Sequence, residues 1–225
     1  MNAFDVDSAS IATLRGRLID HDIRWLLGAA GAGKSTTTQI LADQYGLQLI
    51  NLDTHIYGEW HNRFTAERHP ANHEWTSAPN SLEWLLSMEW SGYDQFQRTA
   101  LFEYLDLLAE DLETKPGGPV LVDGGLYHPA LLAEVIPPDR IVCLARPHRS
   151  GREVWESSEE RRAMRTFMND LSDPGAAWAR FLEFDERIEQ TVTEEAGAAG
   201  LTLLERRPDE AVATTVKAIA RAFGL

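Results

Sequence analysis

The sequence predicts an α/β domain built on a five-stranded parallel sheet, and three observations carry that prediction. Five short apolar runs, at 23–27, 47–52, 119–122, 141–145 and 201–204, alternate with stretches in which apolar residues recur at helical spacing. The third run, Pro119-Val120-Leu121-Val122, is apolar throughout, as a strand covered on both faces requires. No internal repeat, low-complexity tract or linker rich in Gly, Ser or Pro divides the 225 residues, so one domain accounts for the whole length.

Each element has a local cause. Ser8 or Ser10 is placed to cap an opening helix whose apolar face is Ile11, Leu14 and Leu18. The first strand runs into a glycine-rich turn and a helix from Lys34 to Tyr45, which Gly46 stops. The second strand ends at Asp53. Residues 54–115 form a long insertion rich in Trp, His and helix formers. Its last part is helical, because Leu101, Leu105, Leu108 and Leu112 recur at i, i+4, i+7 and i+11, and Pro116-Gly117-Gly118 ends it. The third strand closes on Asp123, and a short helix opens at Pro129 and closes at Pro137-Pro138. The fourth strand leads into an arginine-rich segment, Arg146 to Arg165, in which Ser157 and Glu160 read as a capping box. A helix carrying Trp178, Phe181, Ile188 and Val192 reaches Gly200 and the fifth strand. Pro208 then opens a last helix with Val212, Val216, Ile219 and Phe223 on one face. Parallel strands joined in this way need right-handed crossovers.

Composition narrows the function classes. A chain that is 44% hydrophobic and 25% charged packs a core and is neither disordered nor fibrous. The longest stretch free of Asp, Glu, Lys and Arg is the ten residues from Gly124 to Ala133. That is about half of a membrane span, and no basic flank precedes an apolar run near Met1, so neither a span nor a signal peptide is expected. A single cysteine, Cys143, excludes an intrachain disulfide and a Cys-rich zinc module and fits a reducing, cytoplasmic setting. The net charge of −14 opposes a nucleic acid partner.

The strongest motif is Gly28-Ala29-Ala30-Gly31-Ala32-Gly33-Lys34-Ser35, followed by Thr36. It fits Gly-x-x-x-x-Gly-Lys-Ser/Thr without a mismatch, with an apolar strand before it and a helix after it. Small residues let successive backbone N–H groups converge on a phosphate, and the following helix adds its positive end. Lys34 then reaches the β- and γ-phosphates and the Ser35 hydroxyl ligates Mg²⁺, so ATP with Mg²⁺ is the expected ligand. Asp53 and Asp123 end the flanking strands, where ligands of doubly wound sheets bind. Asp123 suits Mg²⁺, usually through water, and Asp53 suits proton abstraction from a hydroxyl nucleophile; the plainer alternative is that each caps a loop.

Together, the phosphate loop, the Asp123-Gly124 pair and the arginine-rich segment after the fourth strand resemble the nucleoside and nucleotide kinase branch of the P-loop proteins. The resemblance implies a three-layer sandwich with strand order 2-3-1-4-5, a helical acceptor-binding insertion and an arginine-rich lid over ATP. Adenylate kinase follows its Asp-Gly with Phe-Pro-Arg, the arginine holding the acceptor phosphate, whereas this chain continues Gly125-Leu126-Tyr127-His128-Pro129. Shikimate kinase ends its second strand in Asp-Thr-Asp, and this chain reads Asp53-Thr54-His55. Enzymes similar to shikimate kinase and the antibiotic phosphotransferases use that strand-two aspartate to activate a hydroxyl. The expected activity is therefore a small-molecule kinase whose acceptor offers a hydroxyl rather than a nucleoside monophosphate.

Residues 146–165 hold six arginines, of which Arg152, Arg161 and Arg165 are the candidates to neutralise charge in the transition state. Solvated Glu–Arg pairing is the alternative for the same residues. In the insertion, His55, His61, His69 and His73 lie among Trp60, Trp75, Trp84 and Trp90. Their spacing does not suit zinc, since only His69 and His73 are four apart and Pro70 intervenes. An aromatic acceptor pocket, or simple packing of a helical subdomain, is expected there. Two rival classes remain: an NTPase coupled to a protein partner, and a nucleotide-binding protein without turnover. The chain has no Asn-Lys-x-Asp guanine motif.

Overall fold

The strands β1 (Ile23–Leu27), β2 (Gln48–Asn51), β3 (Val120–Asp123), β4 (Ile141–Ala145) and β5 (Thr202–Glu205) form one sheet in the order β2-β3-β1-β4-β5. Every neighbouring pair is parallel. The computed structural model describes residues 8–114, 117–146, 148–207 and 209–225, and for Glu160 the backbone only. β1 lies at the centre, with Trp25 opposite Val122 on one side and Ile141 on the other.

Alternation along the strands divides their side chains between two cores. Leu26, Leu121, Val142 and Leu144 face α2 (Lys34–Tyr45) and α11 (Val212–Ala222), which contribute Leu41, Val216 and Ile219. Trp25, Val122, Ile141 and Cys143 face the other way, toward α1 (Ser8–Leu18) and α6 (Trp90–Thr114). Helices thus cover both faces of the sheet, which is why its central strands are mostly apolar, with Arg24 of β1 and Asp123 of β3 as the polar exceptions. The leucine stripe 101, 105, 108 and 112 is buried along α6 as its spacing predicts, and burial of each such side chain stabilises the fold by about 1.5–3 kcal/mol. Among the described residues no helix is long and apolar enough to cross a membrane.

The ends of some elements differ from expectation. β2 stops at Asn51, because the Asn51 carboxamide accepts a 3.0 Å hydrogen bond from the Thr54 N–H and caps a short helix, α3 (Leu52–Tyr57). Asp53 therefore sits in the first turn of α3 and not at a strand end. The insertion continues through α4 (Pro70–Ser77), α5 (Ser81–Leu86) and α6. Pro70 opens α4 at its first turn, and the buried Glu103 carboxylate accepts from the N–H groups of Ala71 and Asn72 there. After β3 come α7 (Pro129–Leu132), then, beyond β4, α8 (Gly151–Trp155), α9 (Glu159–Phe167) and α10 (Pro174–Ala198).

The capping box lies seven residues earlier than expected, at Ser150 with Glu153, where it opens α8. Ser158, one residue beyond Ser157, caps α9, while the Ser157 hydroxyl donates to the Val154 carbonyl. The Glu160 side chain, Pro116 and Pro208 lie outside the described residues; the last helix begins at Val212.

Candidate functional site

The loop between β1 and α2 is the motif at 28–35. Gly31 holds φ +78°, and a Cβ there would come within 2.6 Å of the Val154 Cγ1 atom, so glycine allows the wholly buried Val154 to seat α8 directly on the loop. Gly33 immediately precedes α2, and no side chain caps that helix, so its first-turn residues Lys34, Ser35 and Thr36, which line the cleft, carry N–H groups without a side-chain cap. The Lys34 ammonium donates to the Ala29 carbonyl at 3.1 Å, and the buried Thr37 hydroxyl lies 2.8 Å from the Gly33 carbonyl. This geometry is a cradle for an anion: uncapped donors, a helix dipole and one cation at the rim.

Asp123, the last residue of β3, is 1% exposed and lies opposite Leu26 and Asn51 in the sheet. The Thr38 hydroxyl stands 3.3 Å from its Oδ2, while Oδ1 is buried without a partner among the described residues. A buried carboxylate oxygen without a donor is costly unless something else occupies it. Asp53 approaches from the other side over Gly124, where a Cβ would stand 2.7 Å from the Asp53 Oδ2 atom. Gly124 holds φ +86°, so both the backbone and the approach require glycine. Desolvation at the cleft floor pushes the Asp53 carboxyl above its ordinary range, Lys34 pulls it back, and Asp123 adds repulsion. The residue nevertheless opens to the cleft.

The loop and Asp53 border one cleft of about 460 Å³. Of the predicted loop residues, Gly28, Ala29, Ala30, Gly31, Gly33, Lys34, Ser35 and Thr36 line it, and Ala32 is buried behind them in the core. Asp123 lies beneath the floor and does not line the cleft. Of the three candidate arginines, Arg161 lines it, with its Cζ 5.6 Å from the Trp155 ring centroid. Arg152 pairs with Glu156 at 3.2 Å on the surface, and Arg165 lies over Trp178. Arg146 is buried in an ion pair with Asp185, with Glu189 at 3.4 Å, so it belongs to the foundation of the segment. Trp155 and Met164 join a small apolar cluster around Met168, Trp178 and Leu182, which holds the segment against α10.

The aromatics of the cleft differ from those expected. Trp60 and Trp75 are core residues, and none of the four tryptophans of the insertion lines it. Tyr57, Tyr93, Tyr127, Phe181 and Phe184 form its wall instead. The four histidines also disperse: His69 is buried against Asp106 at 3.0 Å, whereas His55 bonds Glu59 at 2.7 Å. His55, Glu59 and Asp111 offer ligand atoms within 4.8 Å of one another, but Trp60 and Arg63 already occupy both Asp111 oxygens.

A second, basic hollow of about 120 Å³ adjoins the loop at Gly31 and Ala32, walled by Arg146, His148, Arg149, Arg206 and Arg207. The Arg206 guanidinium abuts Gly33. Sequence reasoning passed over Arg206 and Arg207, although they follow β5 at the carboxyl edge of the sheet, where ligands bind. No family model matches the chain, and no curated protein is significantly similar to it.

Proposed function

We propose that the protein is an ATP-dependent phosphotransferase that moves the γ-phosphoryl group to a hydroxyl of a small molecule. The observation that carries this reading is the single cleft in which an uncapped helix N-terminus and Lys34 face Asp53. The N–H groups of Gly33, Lys34 and Ser35 would hold the β-phosphate, and the Lys34 ammonium would leave the Ala29 carbonyl for the γ-phosphate. The basic hollow at His148, Arg149 and Arg206 would take the nucleoside end. Asp53 accepts the proton of the acceptor hydroxyl as its oxygen forms a bond to the γ-phosphorus. The bond from that phosphorus to the bridging oxygen breaks and ADP leaves. Arg161, already on the cleft, would share the charge on the transferring group.

The residues present fit a magnesium ion, since Ser35 lines the cleft and Asp123 Oδ1 is buried without a partner among the described residues. Ser35 and Asp123, the latter through water, would hold it, and the ion would supply charge neutralisation between the β- and γ-phosphates. Asp123→Asn should therefore raise the Mg²⁺ concentration at half-maximal activity by roughly 10–100-fold, as loss of an outer-sphere partner does elsewhere. An unchanged Mg²⁺ titration would return Asp123 to a purely structural role with Thr38.

A monophosphate acceptor finds no support in the insertion, whose arginines are engaged elsewhere. Arg63 is 2.7 Å from Asp111, Arg68 is 2.6 Å from Asp106, and Arg98 is 2.7 Å from Asp94. Acceptor-dependent ADP release, read by a coupled assay alongside ³¹P detection of a new phosphomonoester, tests the reading. ATP turnover that no hydroxyl compound stimulates would contradict it.

A further inference from the structure

We infer that the phosphoryl acceptor is an uncharged alcohol carried on a flat apolar body; this rests on the kinase reading above. The half of the cleft beyond Asp53 is a continuous aromatic wall. Tyr93 stacks on Phe184 with ring centroids 4.4 Å apart and lies parallel to Tyr127 within 7°. Leu82, Leu85 and Leu86 of α5 also line the cleft, and Tyr57, which lines it too, is 66% exposed. An exposed tyrosine ring beside a buried aromatic wall offers a second face to a planar guest. Among the described residues Gln97 is the one uncharged amide that reaches this part of the cleft.

The charges decide against an ionic acceptor. Among the described residues the cations that line the cleft are Lys34 and Arg161, and both are committed to the transferring phosphoryl group in this mechanism. Arg63, Arg68 and Arg98, the arginines of the insertion, hold carboxylates outside the cleft. An anionic acceptor would therefore surrender its hydration with no counter-charge in return. A cationic acceptor fares no better: of the two carboxylates on the cleft, Asp185 is ion-paired with buried Arg146, and Asp53 is the base for the acceptor's hydroxyl proton in this mechanism. The cavity of about 460 Å³ includes the phosphate end, so the part of the acceptor that it encloses is small.

Three probes that share one hydroxymethyl group and one ring system separate these cases: 6-methyl-2-naphthalenemethanol, 6-(hydroxymethyl)-2-naphthoate and the corresponding 6-(aminomethyl) alcohol. Their affinities for the full chain, saturated with Mg²⁺ and the non-hydrolysable analogue AMP-PNP, are read by saturation-transfer NMR titration. The neutral probe should bind at least about 10-fold more tightly than either charged one. Phe184→Ala should weaken it about 10-fold with AMP-PNP affinity unchanged, which also reports that the variant is folded. Gln97→Arg, which adds a cation without removing any core side chain, should invert the preference in favour of the naphthoate. Tighter binding of either charged probe, no binding of the neutral one, or indifference to both substitutions overturns the assignment. The same samples keep the two readings apart: if AMP-PNP binds and the neutral alcohol does not, only the acceptor assignment falls. If AMP-PNP itself does not bind, the kinase reading falls with it.

Discussion

Lys34→Ala should lower acceptor-dependent phosphoryl transfer by roughly 10³-fold or more, the scale expected when a preorganised charge is removed from a developing negative group. The side chain lines the cleft and its ammonium rests 3.1 Å from the Ala29 carbonyl, close enough to swing to a γ-phosphate without rearranging α2. Alanine at this position keeps the helix, being its best former, so the variant should fold as the wild type does. The loss should fall mainly on kcat, because a cation at the γ-phosphate strengthens as charge moves in the transition state. Steady-state kinetics against ATP and acceptor check this, and wild-type turnover in the variant would remove the phosphate-loop assignment altogether.

Asp53→Asn should cost two to four orders of magnitude in kcat, the range spanned by a general base, and leave ATP affinity nearly unchanged. The asparagine amide occupies the same volume over Gly124 but cannot accept a proton from the acceptor hydroxyl. The pH profile supplies an independent reading. Burial holds the folded carboxyl above its ordinary value, and the base must be ionised to act. Activity should therefore rise with pH through that raised value, so the acidic limb should lie above that of an ordinary aspartate. The residual activity of the asparagine variant should lack this limb. An unchanged kcat would make Asp53 a first-turn residue of α3 and nothing more.

Much of the fold was legible because local signals agreed with burial. β1, α2, β4 and the leucine stripe of α6 fall where strand runs, the Gly46 stop and helical spacing put them. Legibility failed where one residue had two readings. The apolar run through Leu52 puts Asp53 at the end of β2, but the Asn51 cap, a single carboxamide, turns the chain into α3 instead. The arginine-rich segment was opaque for a different reason. Whether an arginine is free for a phosphate depends on carboxylates far away in sequence, and Asp185 and Glu189 on α10 claim Arg146. Density of arginines marked the segment, but only the packing of α8 and α9 separates Arg161 from Arg152 and Arg165. The cleft aromatics were obscured likewise, since Phe181 and Phe184 come from α10, outside the insertion where the tryptophans drew attention.

The account rests on nucleotide at the loop of residues 28–36, and calorimetric titration of the full chain with AMP-PNP tests that most directly. With Mg²⁺ present, one molecule should bind per chain, saturably, and chelation of Mg²⁺ or the Lys34→Ala substitution should weaken it. Absence of binding at millimolar AMP-PNP, or binding indifferent to both Mg²⁺ and Lys34, would contradict the account at its base.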